Sequence, residues 1–166
     1  MIKEVTFKGI KMNVETKVEV GKNLSNFKAT KKDLSDFNLE DYKNKVLVIN
    51  TFPSVDTPVC AMQTIKFNKE AANFKDVELI TISKDLPFAL GRFCLDQKIT
   101  NLTTLSDYRY NDFEKNCGGV IKELNLFARQ VIIVNKQGQV KYYELCKEVG
   151  SEPDYSKALE ALKELI

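Results

Sequence analysis

Val46-Leu47-Val48-Ile49-Asn50-Thr51-Phe52-Pro53-Ser54-Val55-Asp56-Thr57-Pro58-Val59-Cys60 is the stretch on which the fold turns. Its first five residues are almost wholly apolar, the pattern of a strand buried on both faces. Thr57 then reads as a helix N-cap. Pro58 reads as the first helical residue, where its missing N–H costs nothing and its fixed φ suits the turn. Cys60 therefore falls in the first turn of a helix, where the positive end of the dipole and the unpaired N–H groups favour a thiolate over a thiol.

Downstream, Phe67, Ala71 and Phe74 recur at helical spacing and the stripe ends near Lys75-Asp76. Val77-Glu78-Leu79-Ile80-Thr81-Ile82 is the next apolar strand, so the order is strand, helix, strand. Asp85 is expected to cap a further helix that tolerates Pro87 in its first turn and carries Phe88, Phe93 and Cys94. Leu102 to Leu105 reads as a short strand, and the polar segment through Asp112 could begin a helix. Val131 to Val134 and Val140 to Leu145 read as two strands joined by a tight turn at Asn135-Lys136-Gln137-Gly138. Tyr155, Ala158, Leu159, Leu162, Leu165 and Ile166 mark one face of a closing helix that starts near Glu152-Pro153-Asp154.

Upstream, Met12, Val14, Thr16, Val18 and Val20 alternate with polar residues at the period of a half-buried strand. Glu4 to Lys8, before Gly9, is its hairpin partner. Asp33 to Tyr42 is polar and irregular, with room for one short helical turn. Helices alternating with buried strands, plus a terminal hairpin, imply an α/β layer structure: a mixed central sheet with helices on both faces.

The 166 residues suit one compact domain over 1–166. Lys and Arg total 25 against 23 Asp and Glu, for a net charge of +2, and the basic residues form no stripe. A nucleic-acid partner is not expected. The start, Met1-Ile2-Lys3-Glu4-Val5, has no long apolar run after a basic segment. Neither signal peptide nor membrane span is expected, and the expected location is cytoplasmic.

Four cysteines, Cys60, Cys94, Cys117 and Cys146, and no histidine are present. No pair forms C-x-x-C, so zinc ligation and dithiol reductase chemistry both lose support. The lack of His also removes Ser–His and Cys–His catalysis. An ordinary thiol, with a pKa near ~8.5, is only a few per cent ionised at neutral pH, so a nucleophilic Cys60 needs electrostatic help beyond its helix.

The pattern Pro53-x-x-x-Thr57-x-x-Cys60 resembles the active-site signature of peroxiredoxins, in their atypical two-cysteine, thiol peroxidase branch. Ser83-Lys84-Asp85-Leu86-Pro87-Phe88-Ala89-Leu90-Gly91-Arg92-Phe93-Cys94 is similar to the segment of that branch ending in its resolving cysteine. Leu126-Phe127-Ala128-Arg129-Gln130 resembles the segment that supplies its arginine. The similarity runs through Glu152-Pro153-Asp154-Tyr155, nearly the whole chain. It departs at Val20 to Phe27, where the Gly-Asp-x-Ala-Pro-x-Phe pattern lacks its proline.

The resemblance implies a thioredoxin-like fold and a peroxidase that reduces hydrogen peroxide and organic hydroperoxides. Cys60 would become a sulfenic acid, Cys94 would close an intrachain Cys60–Cys94 disulfide after local unwinding of one or both helices, and thioredoxin would recycle it. Arg129 would face thiolate and peroxide, Thr57 would both cap the helix and hydrogen-bond the reacting group, and Pro53 would shield the sulfur from water. No metal, haem, flavin or other cofactor is implied, and a homodimer is. Resolution within one helix is disfavoured because Ile65 stands five residues after Cys60. Resolution across a dimer is disfavoured because the tail lacks Val-Cys-Pro; Cys146 is the nearest candidate, with unmatched flanks. Cys117 and Cys146 are read as structural thiols and Arg92 as a solvated helix charge. The rival reading is a peroxide-responsive redox sensor or binding protein using the same cysteine pair. The joint presence of Thr57 and Arg129 favours the enzyme.

Overall fold

Strand β5, Val46–Thr51, is buried at all six positions and lies in the middle of the larger sheet. The computed structural model describes residues 1–71 and 73–166, and of Ala71 the backbone alone. The Ala71 position of the expected stripe therefore lies outside the described side chains. In chain order the elements are strands β1 (Ile2–Phe7), β2 (Ile10–Thr16), β3 (Lys28–Lys31) and β4 (Asp36–Asn38), a 3-10 turn at Leu39–Tyr42, and β5. There follow helix α1 (Pro58–Ala71), β6 (Val77–Ser83), helix α2 (Pro87–Asp96), β7 (Thr103–Ser106) and helix α3 (Asp112–Cys117). Strands β8 (Gly118–Ile121), β9 (Leu126–Phe127), β10 (Gln130–Val134) and β11 (Val140–Leu145) lead to helix α4 (Tyr155–Lys163).

The larger sheet has the order β11-β10-β5-β6-β7-β3-β4, with β5, β6 and β7 parallel and the remaining pairings antiparallel. Alternation along β5 divides the core between two faces. Val46 and Val48 meet Phe67 of α1 and Ala158 and Leu162 of α4, together with Leu79, Val131 and Ile133. Leu47 and Ile49 face Phe113 of α3, with Ile80, Ile82, Leu105, Phe127 and Ile132. Each such large side chain, fully buried, stabilises the fold by roughly 1.5–3 kcal/mol. The mixed sheet is thus covered by α1 and α4 on one face and by α3 on the other, as the sequence implied.

The N-terminal hairpin is present, but it belongs to a second, four-stranded sheet, β1-β2-β8-β9. Its second strand ends at Thr16 rather than Val20. Val18 is buried all the same, inside the core beneath the larger sheet, so its place in the alternation reflects packing and not a ladder. Asp85 corrects another expectation: the cap position of α2 is Leu86, with no side-chain cap, and Pro87 is the first helical residue.

Candidate active site

The apolar run of β5 gives way to polar residues at its C-terminal end, where Asn50 and Thr51 are both buried. Thr51 donates from Oγ1 to the Ala128 carbonyl (2.8 Å) and accepts from Gln130 Nε2 (2.9 Å), which ties this end of β5 to the entry of β10. Phe52 and Val55 then turn inward, and α1 begins at Pro58. Cys60 is the third residue of that helix, among N–H groups that have no partner within the helix.

The Cys60 sulfur is fully buried, and Arg129 Nη2 donates to it at 3.2 Å. Arg129 stands directly before β10 and is 2% exposed. Its Nε donates to the Val149 carbonyl (2.8 Å) and its Nη1 to Gln63 Oε1 (2.7 Å). Gln63 in turn donates from Nε2 to Asn50 Oδ1 (3.0 Å), so strand, helix and loop each fix part of the guanidinium. Among the described residues no carboxylate forms an ion pair with Arg129. A buried cation without an anion is costly, and the sulfur in front of it is the group that can become one.

Pro53, Thr57 and Arg129 line a cavity of about 280 Å³, with Phe7, Val59 and Val149 among its other walls. Three of the five site residues expected from sequence thus meet at one recess beside the thiol. Thr57 occupies the position before the helix, and its hydroxyl donates to the Ser54 carbonyl (2.9 Å). Among the described residues that hydroxyl accepts no first-turn N–H, so its hydrogen bond serves the loop.

Cys94 lies in α2, buried in the same apolar cluster as Cys60, together with Phe52, Val55, Leu90, Phe93 and Ile99. Its sulfur is 3.8 Å from Thr104 Oγ1, and both thiols are free. Phe88, on the same helix, is exposed. The other two cysteines differ in kind. Burial pushes the Cys117 thiol up to about 12, with Asp107 and Asp112 adding to it. Burial pushes Cys146 up to about 12 as well, and Glu144 reinforces the effect. Both remain protonated near neutrality and fit the structural reading. Arg92 pairs with Asp56 at 3.4 Å, both largely exposed, as a solvated helix charge would.

Sequence reasoning did not single out Gln63. Its spacing held a signal, because position i+3 from Cys60 shares a helix face with it. The Val149 carbonyl, a backbone group in an irregular segment, left none. Among the described residues, no cluster of His, Cys, Asp and Glu is arranged to hold a metal ion. Among the described residues no helix is long and apolar enough to cross a membrane.

Residues 19–159 match the redoxin family profile. A thiol peroxidase of Halalkalibacterium halodurans is 46% identical over 160 residues, covering 96% of each chain. A thiol peroxidase of Bacillus subtilis is 43% identical over 98% of each. Among solved structures, a peroxiredoxin-like protein from Aquifex aeolicus superposes with a TM-score of 0.91 at 37% identity, covering 99% of both chains. A thiol peroxidase from Chromobacterium violaceum, at 22% identity and a TM-score of 0.89 over 97% of this chain and 95% of its own, shares the fold. That fold is thioredoxin-like.

Proposed function

The chain belongs to the redoxin family, and from that premise we propose that it is a thiol peroxidase whose nucleophile is Cys60. The observation that carries the reading is the 3.2 Å contact between Cys60 Sγ and a buried guanidinium that has no carboxylate partner among the described residues. A thiolate there neutralises Arg129, and Arg129 with the helix N-terminus stabilises the thiolate.

The thiolate attacks the terminal oxygen of a hydroperoxide; the O–O bond breaks, and a proton goes to the leaving oxygen. Water or an alcohol departs and Cys60 becomes a sulfenic acid. Arg129 is placed to stabilise charge on the leaving oxygen, Pro53 to keep water from the sulfur, and Thr57 to position the peroxide in the cavity all three line. The mainly apolar walls suit hydrogen peroxide and small organic hydroperoxides. The Cys94 thiol then attacks the sulfenic sulfur, forming the intrachain Cys60–Cys94 disulfide and releasing water. Membership of one apolar cluster supports that pairing. The sulfurs have separate partners, Arg129 for Cys60 and Thr104 for Cys94, and local unwinding of one or both helices is the proposed route to closure.

Thioredoxin is the proposed reductant, and the enzyme is read as one domain over 1–166, a cytoplasmic homodimer serving antioxidant defence. The test is peroxide consumption coupled to thioredoxin. Cys60→Ser abolishes turnover, while Cys94→Ser consumes one equivalent of peroxide and is not recycled. Turnover by Cys60→Ser would remove Cys60 from the mechanism. A wild-type protein that oxidises once without cycling would favour the sensor reading.

A further inference from the structure

The side chain of Asp85 does not cap α2; it reaches across to the loop that feeds α1. Its Oδ1 accepts from Ser54 Oγ (2.6 Å), and its Oδ2 accepts from the Val55 N–H (3.0 Å) and from Ser83 Oγ (2.7 Å). The Asp85 N–H donates to Ser83 Oγ (3.3 Å), and Ser106 Oγ donates to the Asp85 carbonyl, so the residue is anchored at the ends of β6 and β7. One carboxylate therefore joins the segment that leads to Cys60 to the segment that leads to Cys94. Two further links cross the same seam. Val55, 3% exposed, packs with Leu90 and Phe93 of α2, and Asp56 pairs with Arg92.

Three donors converge on this single carboxylate, and hydrogen bonds to a charged group are about twice as strong as neutral ones. They hold α2 against residues 54–56 in the arrangement where the two sulfurs have separate partners. We propose that Asp85 is a positioning residue for the second half of the reaction: by pinning the 54–56 loop to the start of α2, it sets how often oxidised Cys60 is captured by Cys94 instead of being oxidised again. This rests on the thiol peroxidase reading of the same site. Capture forms the S–S bond, breaks the sulfenic S–O bond and releases water from the sulfenic hydroxyl and the Cys94 proton. The competing step transfers one oxygen from a second hydroperoxide to the sulfenic sulfur, giving a sulfinic acid and an alcohol or water.

The test uses the full chain in two arms. In the first, diamide oxidises the dithiol to the disulfide while being reduced to its hydrazine, and closure is timed by quenching and mass analysis. Asp85→Asn closes about tenfold faster than wild type, equivalent to about 1.4 kcal/mol of lost restraint, and Ser54→Ala changes in the same direction by less. Ala158→Gly, a destabilising change in α4 far from the seam, leaves closure at the wild-type rate. In the second arm, excess hydrogen peroxide yields severalfold less sulfinic acid per disulfide in Asp85→Asn. Closure and sulfinic yield unchanged in both seam variants, or Ala158→Gly reproducing their effect, overturns the assignment. Should Asp85→Asn not fold, Ser54→Ala decides. A wild-type protein inert to peroxide defeats the peroxidase reading alone, because the diamide arm still judges the seam.

Discussion

Replacing Arg129 with alanine removes the cation that touches the Cys60 sulfur. At 3.2 Å the attraction between a guanidinium and a thiolate is about 5 kcal/mol at an effective dielectric of about 20. Relief of the buried guanidinium's own desolvation offsets part of this, so the net loss is that of a charge-assisted hydrogen bond, about 1.5–3 kcal/mol. Alkylation of Cys60 near neutral pH then slows by about ten- to a hundredfold. The rate of the peroxide step falls at least as far, since the leaving oxygen loses the same cation. The assay is thiolate absorbance and iodoacetamide alkylation in a Cys94→Ser background. Cys117 and Cys146, pushed up to about 12, contribute nothing near neutrality. Alanine also strands Gln63 Oε1 and the Val149 carbonyl, so Arg129→Lys is the companion variant. It keeps the charge without the planar fork and restores part of the thiolate signal. A folded Arg129→Ala protein with the wild-type thiolate signal would refute the electrostatic account.

Gln63→Ala leaves Arg129 Nη1 without its acceptor and lowers kcat/KM by about tenfold through a misaligned guanidinium, with little change in alkylation of Cys94; equal kcat/KM would show that the Val149 carbonyl alone orients the arginine. For Cys117 and Cys146, whose folded proton affinity is raised, the stabilising contribution is complete below the unfolded thiol value of about 8.5 and is lost as pH rises towards about 12. Stability against urea should decline between about pH 9 and 10 by about 1.4 kcal/mol per unit for each thiol, and a Cys117→Ala, Cys146→Ala double variant should flatten that decline. The same slope in the double variant would exclude these thiols as its source. Asp154 caps α4 by accepting the Lys157 N–H (3.1 Å), so Asp154→Ala should cost about 1 kcal/mol in urea unfolding and leave peroxide consumption intact. An unshifted urea midpoint would deny the cap its role.

Long apolar runs and strong punctuation were legible. The β5 run, the Thr57-Pro58 helix start and the Asn135 to Gly138 turn all lie where the residues place them; at that turn Asn135 Oδ1 accepts from Gln137 and Gln139 N–H groups. Cys60 and Arg129, which the structure brings into contact, and Cys94, which packs in the same cluster as Cys60, stood out as candidates because their flanks carry local pattern. The short strands β3, β4, β8 and β9 were not, having two to four residues each and therefore no measurable period. Gly118 and Gly119 hid β8 further. Both have positive φ, and added Cβ atoms would lie 2.4 Å from the Glu15 carbonyl oxygen and 2.1 Å from Gln130 Nε2, a crowding that only the folded neighbours reveal. Asp85 misled because acidic residues before Pro usually cap, whereas its partners Ser54 and Val55 stand about thirty residues away. Gln63 and Val149 are joined to Arg129 across the chain, a distance at which sequence pattern is silent.

In the proposed mechanism, conversion of the Cys60 thiolate to a sulfenic acid removes the anion opposite Arg129 while the cation stays sequestered, held by one amide and one backbone oxygen. On that proposal each oxidation event would unbalance the electrostatics of its own pocket at the moment the first turn of α1 has to loosen, so that the chemistry would prime the motion and reduction reset it.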